Sequence, residues 1–134
     1  MNMKFSIQLK FTVFGSSFDP NEITELCKIQ PHRIWKAGDT IASTIMKRKN
    51  YGWTIISKEI ESDGLDLLLK EMIKKITPVK SLLRDHINKH NLNSELACII
   101  TLHEEAPSIN IDQKSVHFFS DLGSSIDIDI YLGE

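Results

Sequence analysis

The stretch Lys4-Phe5-Ser6-Ile7-Gln8-Leu9-Lys10-Phe11-Thr12-Val13 alternates without a break. Phe5, Ile7, Leu9, Phe11 and Val13 point one way. Lys4, Ser6, Gln8, Lys10 and Thr12 point the other. A period of two is the repeat of a strand with one buried face and one wet face.

Downstream, Gly15-Ser16-Ser17 breaks the pattern and Asp19-Pro20-Asn21-Glu22 reads as a helix start. Asp19 caps, Pro20 takes the first helical position, and Glu22 stands where a capping box puts its acid. Ile23, Leu26 and Cys27 form the apolar stripe, and Pro31 stops the helix near residues 28–30. Residues 33–36 read as extended and Ala37-Gly38-Asp39 as a turn. Residues 40–46, rich in Ile and Thr, read as a strand whose polar tip at 47–50 turns it into a second strand over 53–60. Asp63 is the expected cap of a strongly amphipathic helix carrying Leu65, Leu68, Leu69, Met72, Ile73 and Ile76. Thr77-Pro78 interrupts it, as cap and first residue of a further helix with Val79, Leu82, Leu83, His86, Ile87 and His90 as its stripe. One kinked helix and two helices fit this pattern equally.

Residues 95–103 are apolar on both faces and read as a central strand. Ile109 and Ile111 mark a short strand. Asp112 caps a last helix with Val116, Phe119 and Leu122 inward and Gly123 as its stop. Residues 125–132 alternate again, with Ile126, Ile128, Ile130 and Leu132 inward and Asp127, Asp129 and Tyr131 outward. The expected fold is a single α+β domain over residues 1–134, a mostly antiparallel sheet with helices packed on it. The Asp19 and Asp112 helices place apolar residues at the same offsets, +4 and +7, which fits two split βαβ halves.

The 134 residues suit one domain, and a chain this size buries roughly two-thirds of the surface its unfolded form exposes. Net charge is −2, unlike a general nucleic-acid coat or membrane-surface binder. No apolar run approaches the roughly 20 residues that span a bilayer, and Met1-Asn2-Met3-Lys4-Phe5 leads into alternation instead of a signal core. The expected setting is cytoplasmic. Cys27 and Cys98 are too few for a disulfide scaffold and read as buried, reduced thiols. Charge is segregated: residues 45–92 carry +4 and residues 99–134 carry −6.

His86 and His90, four apart on one helical face, have a spacing that holds metals; His103, Glu104 or Glu105 are the candidate third ligands. The run His86-Ile87-Asn88-Lys89-His90 lacks the Glu of a zinc-hydrolase helix, so both read as space-filling and no metal or cofactor is expected. Asp127 and Asp129 share one side of a strand, roughly 7 Å apart, and read as solubilising charges. Lys47-Arg48-Lys49-Asn50-Tyr51-Gly52-Trp53 mixes bases with aromatics, too briefly to imply nucleic acid. Trp35 and Trp53 remain as candidate anchors, since Trp is enriched where proteins bind.

Phe18-Asp19-Pro20, Pro31, Trp35 with Gly38-Asp39, Trp53, and the closing Ile128-Asp129-Ile130-Tyr131 together resemble the bacterial DUF4279 family of domains of unknown function. The resemblance runs from Phe5 to Tyr131 and implies a small, single-domain, cytoplasmic bacterial protein. It carries over no catalytic residue. With no catalytic signature and no cofactor loop, the reading favours a non-catalytic protein-interaction module, of inhibitor or immunity type, with Trp35, Lys36, Asp39, Arg48 and Trp53 as binding candidates. Charge segregation is its positive support. The alternative is a small-molecule binder or enzyme with a cleft near Trp35, Asp39 and Trp53.

Overall fold

A computed structural model describes residues 4–133; Met1, Asn2, Met3 and Glu134 lie outside it. The first strand, β1 (Phe5–Gly15), extends the alternation by two residues and lies mid-sheet. Its five inward side chains are all buried, and Ile7, Leu9, Phe11 and Val13 are wholly inaccessible. The chain continues through α1 (Pro20–Cys27), β2 (Arg33–Trp35), β3 (Tyr51–Ile56), α2 (Leu65–Ile76), a 3-10 turn (Thr77–Val79), α3 (Lys80–Lys89), β4 (Asn93–Leu102), α4 (Gln113–Asp121) and β5 (Ser124–Leu132). The sheet order is β2-β3-β1-β4-β5. Every neighbouring pair is antiparallel except β4 and β5, which run parallel. The protein is therefore α+β, with a five-stranded, mostly antiparallel sheet.

One core lies between the sheet and the helices. It joins Phe5, Ile7, Leu9, Phe11 and Val13 to Ile23 and Cys27 of α1, the α2 stripe, Leu83 and Ile87 of α3, and Phe118 and Phe119 of α4. The Phe11 and Phe119 rings meet at 5.9 Å. The opposite face, carrying Gln8, Lys10, Thr12 and Glu95, has no helix over it among the described residues.

The helix termini follow local chemistry where no distant group competes. The Asp19 carboxylate accepts from the Asn21 N–H and the Asp112 carboxylate from the Ser115 N–H. At the end of α1, Lys28 takes the left-handed conformation (φ 57°), and Gly123 does so beyond α4 (φ 70°). Asp63 does not cap α2. Its carboxylate accepts from the Ser108 N–H, 45 positions away, and Gly64 holds the cap position. Thr77 closes α2 instead of opening α3: its hydroxyl donates back to the Ile73 carbonyl at 2.6 Å. Pro78, which lacks an N–H, sits in a 3-10 turn, so this region is two helices and not one.

Three further expectations fail. Residues 40–46 form no strand. They belong to the loop that joins the end of β2 to the start of β3, tied to itself by a single bridge between Thr40 and Lys47, and it is Arg33–Trp35 that pairs with β3. Ile109 and Ile111 lie in irregular chain. Val116 is exposed, because α4 turns Phe118, Phe119 and Ser115 to the sheet, so the common offsets with α1 do not survive. The two halves also differ in kind. The β1-α1-β2 unit is a split βαβ with β3 inserted, whereas β4-α4-β5 joins adjacent parallel strands directly.

Phe11→Ala is expected to lower unfolding free energy by roughly 3–5 kcal/mol in urea titration. Val116→Ala, on an exposed site, is expected to stay within about 0.5 kcal/mol of wild type.

Candidate functional site

Four of the five sequence-derived binding candidates gather at the root of the 36–50 loop. The Trp35 ring lies on Gly52, where an added Cβ would overlap its ring carbons. Its indole N–H donates to Asn50 Oδ1 at 3.1 Å, and the Arg48 guanidinium carbon stands 4.4 Å from the ring centroid. The Asp39 carboxylate accepts from the Lys36 N–H at 2.8 Å, while the Arg48 N–H donates to the Asp39 carbonyl at 2.7 Å. These contacts brace the loop. Trp53 is elsewhere. It pairs with Ile34, one position along from Trp35, so it faces the helices, buried, with its N–H donating to Thr24 Oγ1 at 3.0 Å. The sheet separates the two tryptophans, and no cleft joins them. Lys36 does reach an open groove of about 460 Å³ beside Phe18, Asp19 and Tyr51.

The most unusual surface is β5, at the sheet edge. Ile126, Ile128, Ile130 and Leu132 face the helix side as expected, yet α4 covers only the beginning of the strand. Ile128 is 39% exposed, Ile130 57% and Leu132 87%. The Gly133 N–H donates to the Leu102 carbonyl. By strand alternation the odd-numbered residues of β5 therefore bond β4, and the backbone groups of Ile126, Ile128 and Ile130 point to the free edge. The opposite face of the same strand carries Asp127 and Asp129, beside Glu95 of β4. Burial pushes the Glu95 carboxyl above its usual range, Asp127 and Asp129 push the same way, and Lys10 pulls back.

The histidine pair of α3 meets an acid from α1. The ligand atoms of Glu22, His86 and His90 all lie within 4.8 Å of one another. The expected partners are remote: β4 separates His90 from His103 by roughly 30 Å of strand, and Glu105 pairs with Lys4 at 3.2 Å. The Glu22 contribution was invisible in sequence, since 64 positions separate it from His86 and it doubles as a first-turn acid. Cys27 and Cys98 are free and buried, and burial pushes both thiols up to about 11.

These features define a small α+β protein with a one-sided helix layer, a sheet face without helices and an apolar edge strand that pairs only with β4 among the described residues. Its family is that described as domain of unknown function (DUF4279), whose sequence model matches residues 4–133, and the chain belongs to it. Neither a curated protein nor a solved structure matches it. Among the described residues, no helix is long and apolar enough to cross a membrane.

Two outcomes test this geometry. Gly52→Ala, by forcing the Trp35 ring off its seat, is expected to cost roughly 1–3 kcal/mol and to shift tryptophan fluorescence. Glu95 binds its proton more tightly folded than unfolded. Its contribution to stability is full below the ordinary value of 4.5 and falls as pH rises through the raised folded value. Glu95→Gln should therefore raise the urea midpoint at pH 7, and the gain should shrink at pH 4.

Proposed function

We propose that the chain is a non-catalytic, cytoplasmic protein-interaction module, one domain over residues 1–134, that takes up a β-strand of a partner protein along β5. The observation that carries this is the exposed apolar row of Ile128, Ile130 and Leu132 on a nine-residue edge strand that pairs with no strand but β4 among the described residues. Main-chain bonds to an added strand supply affinity, and alternate side chains supply specificity. The row of Asp127, Asp129 and Glu95 selects the occupant. In a self-pair the aspartates would meet like charges, so a second copy is disfavoured. The complement is a strand with apolar residues on one face and Lys or Arg on the other. An inhibitor or immunity protein blocks its target by such docking. Two free, buried thiols support a reducing compartment.

A small-molecule cleft at Trp35, Asp39 and Trp53 gains no support, because the tryptophans lie on opposite faces. Nucleic-acid binding through the basic middle is weakened at three of its ten cations. Arg48 is laid on Trp35, and Lys58 and Lys80 are paired with Glu71 and Asp121.

A synthetic peptide alternating Lys and Val tests the reading. It is expected to bind wild type with an affinity that falls as salt rises. Ile130→Pro removes an outward-pointing N–H without breaking the β4–β5 ladder and should weaken binding at least about tenfold. Asp127→Asn with Asp129→Asn should weaken it and flatten the salt dependence. Failure to bind, or binding indifferent to both changes, overturns the proposal.

A further inference from the structure

Glu22 stands in the first turn of α1, and His86 and His90 occupy the last turn and the C-cap position of α3. The two helices pack together, which turns the carboxylate toward the imidazoles. The His86 and His90 rings are 4.4 Å apart, centroid to centroid. His86 Nε2 is fully shielded from solvent and has no hydrogen-bond partner. Glu22 Oε2 lies 3.8 Å from it, beyond hydrogen-bond reach.

A buried ring nitrogen without a partner is costly unless something completes it. His86 Nε2 is presented together with a second imidazole and a carboxylate. Two imidazoles and one carboxylate, from two rigid helices, are the donor set that borderline divalent cations take. A tetrahedral ion with bonds of about 2.0–2.2 Å holds its donors roughly 3.3–3.6 Å apart. The three donor atoms already lie within 4.8 Å, and Glu22 and His90 are exposed side chains free to rotate inward.

We propose that Glu22, His86 and His90 form a binding site for a zinc-class divalent cation that bridges α1 and α3 and leaves at least one coordination position open. The site is separate from the β5 edge. α1 packs against β2 and β3, at the opposite side of the sheet, so cation binding and strand docking are independent.

Calorimetric titration of the untagged protein with zinc chloride tests this, with cobalt(II) absorption as the geometric readout. One ion per chain is expected, with a rise in melting temperature. His90→Ala and Glu22→Gln, on exposed positions that leave the core intact, should each weaken binding by at least the roughly tenfold seen on losing even an outer-shell partner. His117→Ala, a histidine outside the cluster, should leave affinity unchanged, and circular dichroism confirms folding. Absence of saturable one-to-one binding overturns the site. So does binding that survives either Glu22→Gln or His90→Ala, since each removes one of the three donors.

Discussion

β1 is hydrogen-bonded along both edges, to β3 on one side and to β4 on the other, while one of its faces is completely buried. Its register is therefore held from three directions. A slip of one residue against either neighbour would turn Ile7, Leu9, Phe11 and Val13 to the wet face and bring Gln8, Lys10 and Thr12 into the core. The helices follow from this. Each needs an apolar surface to cover its stripe, and the β1 face with Trp53, Ile55, Leu96 and Cys98 beside it supplies one. Small hydroxyl contacts tie the same strands on the opposite face, as between Thr12 and Thr54 at 2.7 Å.

Putting every helix on one side leaves two surfaces to be managed differently. The bare face is polar along β1 and acidic toward β5, where Glu95, Asp127 and Asp129 crowd together despite the cost that burial and mutual repulsion place on Glu95. At the two sheet edges the protection is unequal. β2 is only three residues long and runs into a loop braced by Asp39 and Arg48, which limits any strand that might add there. β5 is three times that length and straight on from a parallel ladder, with its apolar row bare. The acidic row and the apolar row on the two faces of this strand are the features on which the proposed strand docking rests.

The helix layer has one polar join. Beside the apolar core that α1 and α3 share through Ile23, Cys27, Leu83 and Ile87, Glu22 meets His86 and His90, and His86 Nε2 has no hydrogen-bond partner there. Elsewhere the layer is closed by ordinary means, such as Lys80 reaching Asp121 of α4 at 2.8 Å and lying over the Phe118 ring.

What the sequence by itself determined was whatever depends on neighbours a few positions away. The period-two pattern of β1, the α2 stripe, the Asp19 and Asp112 caps and the Gly123 stop were all legible, because strand alternation and helix capping are local. Tertiary structure decided what depends on distant partners. Residues 40–46 have strand composition but lie in the loop past the end of the β2–β3 pairing, where they bond only within the loop. Asp63 was drawn from its helix by Ser108, and Val116 lost its place to Phe118 when α4 settled on the sheet. The same division runs through the candidate sites. The four-residue histidine spacing was plain in the chain, but Glu22 joined it only when α1 packed on α3. Ile128, Ile130 and Leu132 were read as inward, and the face was right. That the face is bare was decided by where α4 ends over the sheet, because alternation fixes which side a residue takes and only packing fixes what covers it.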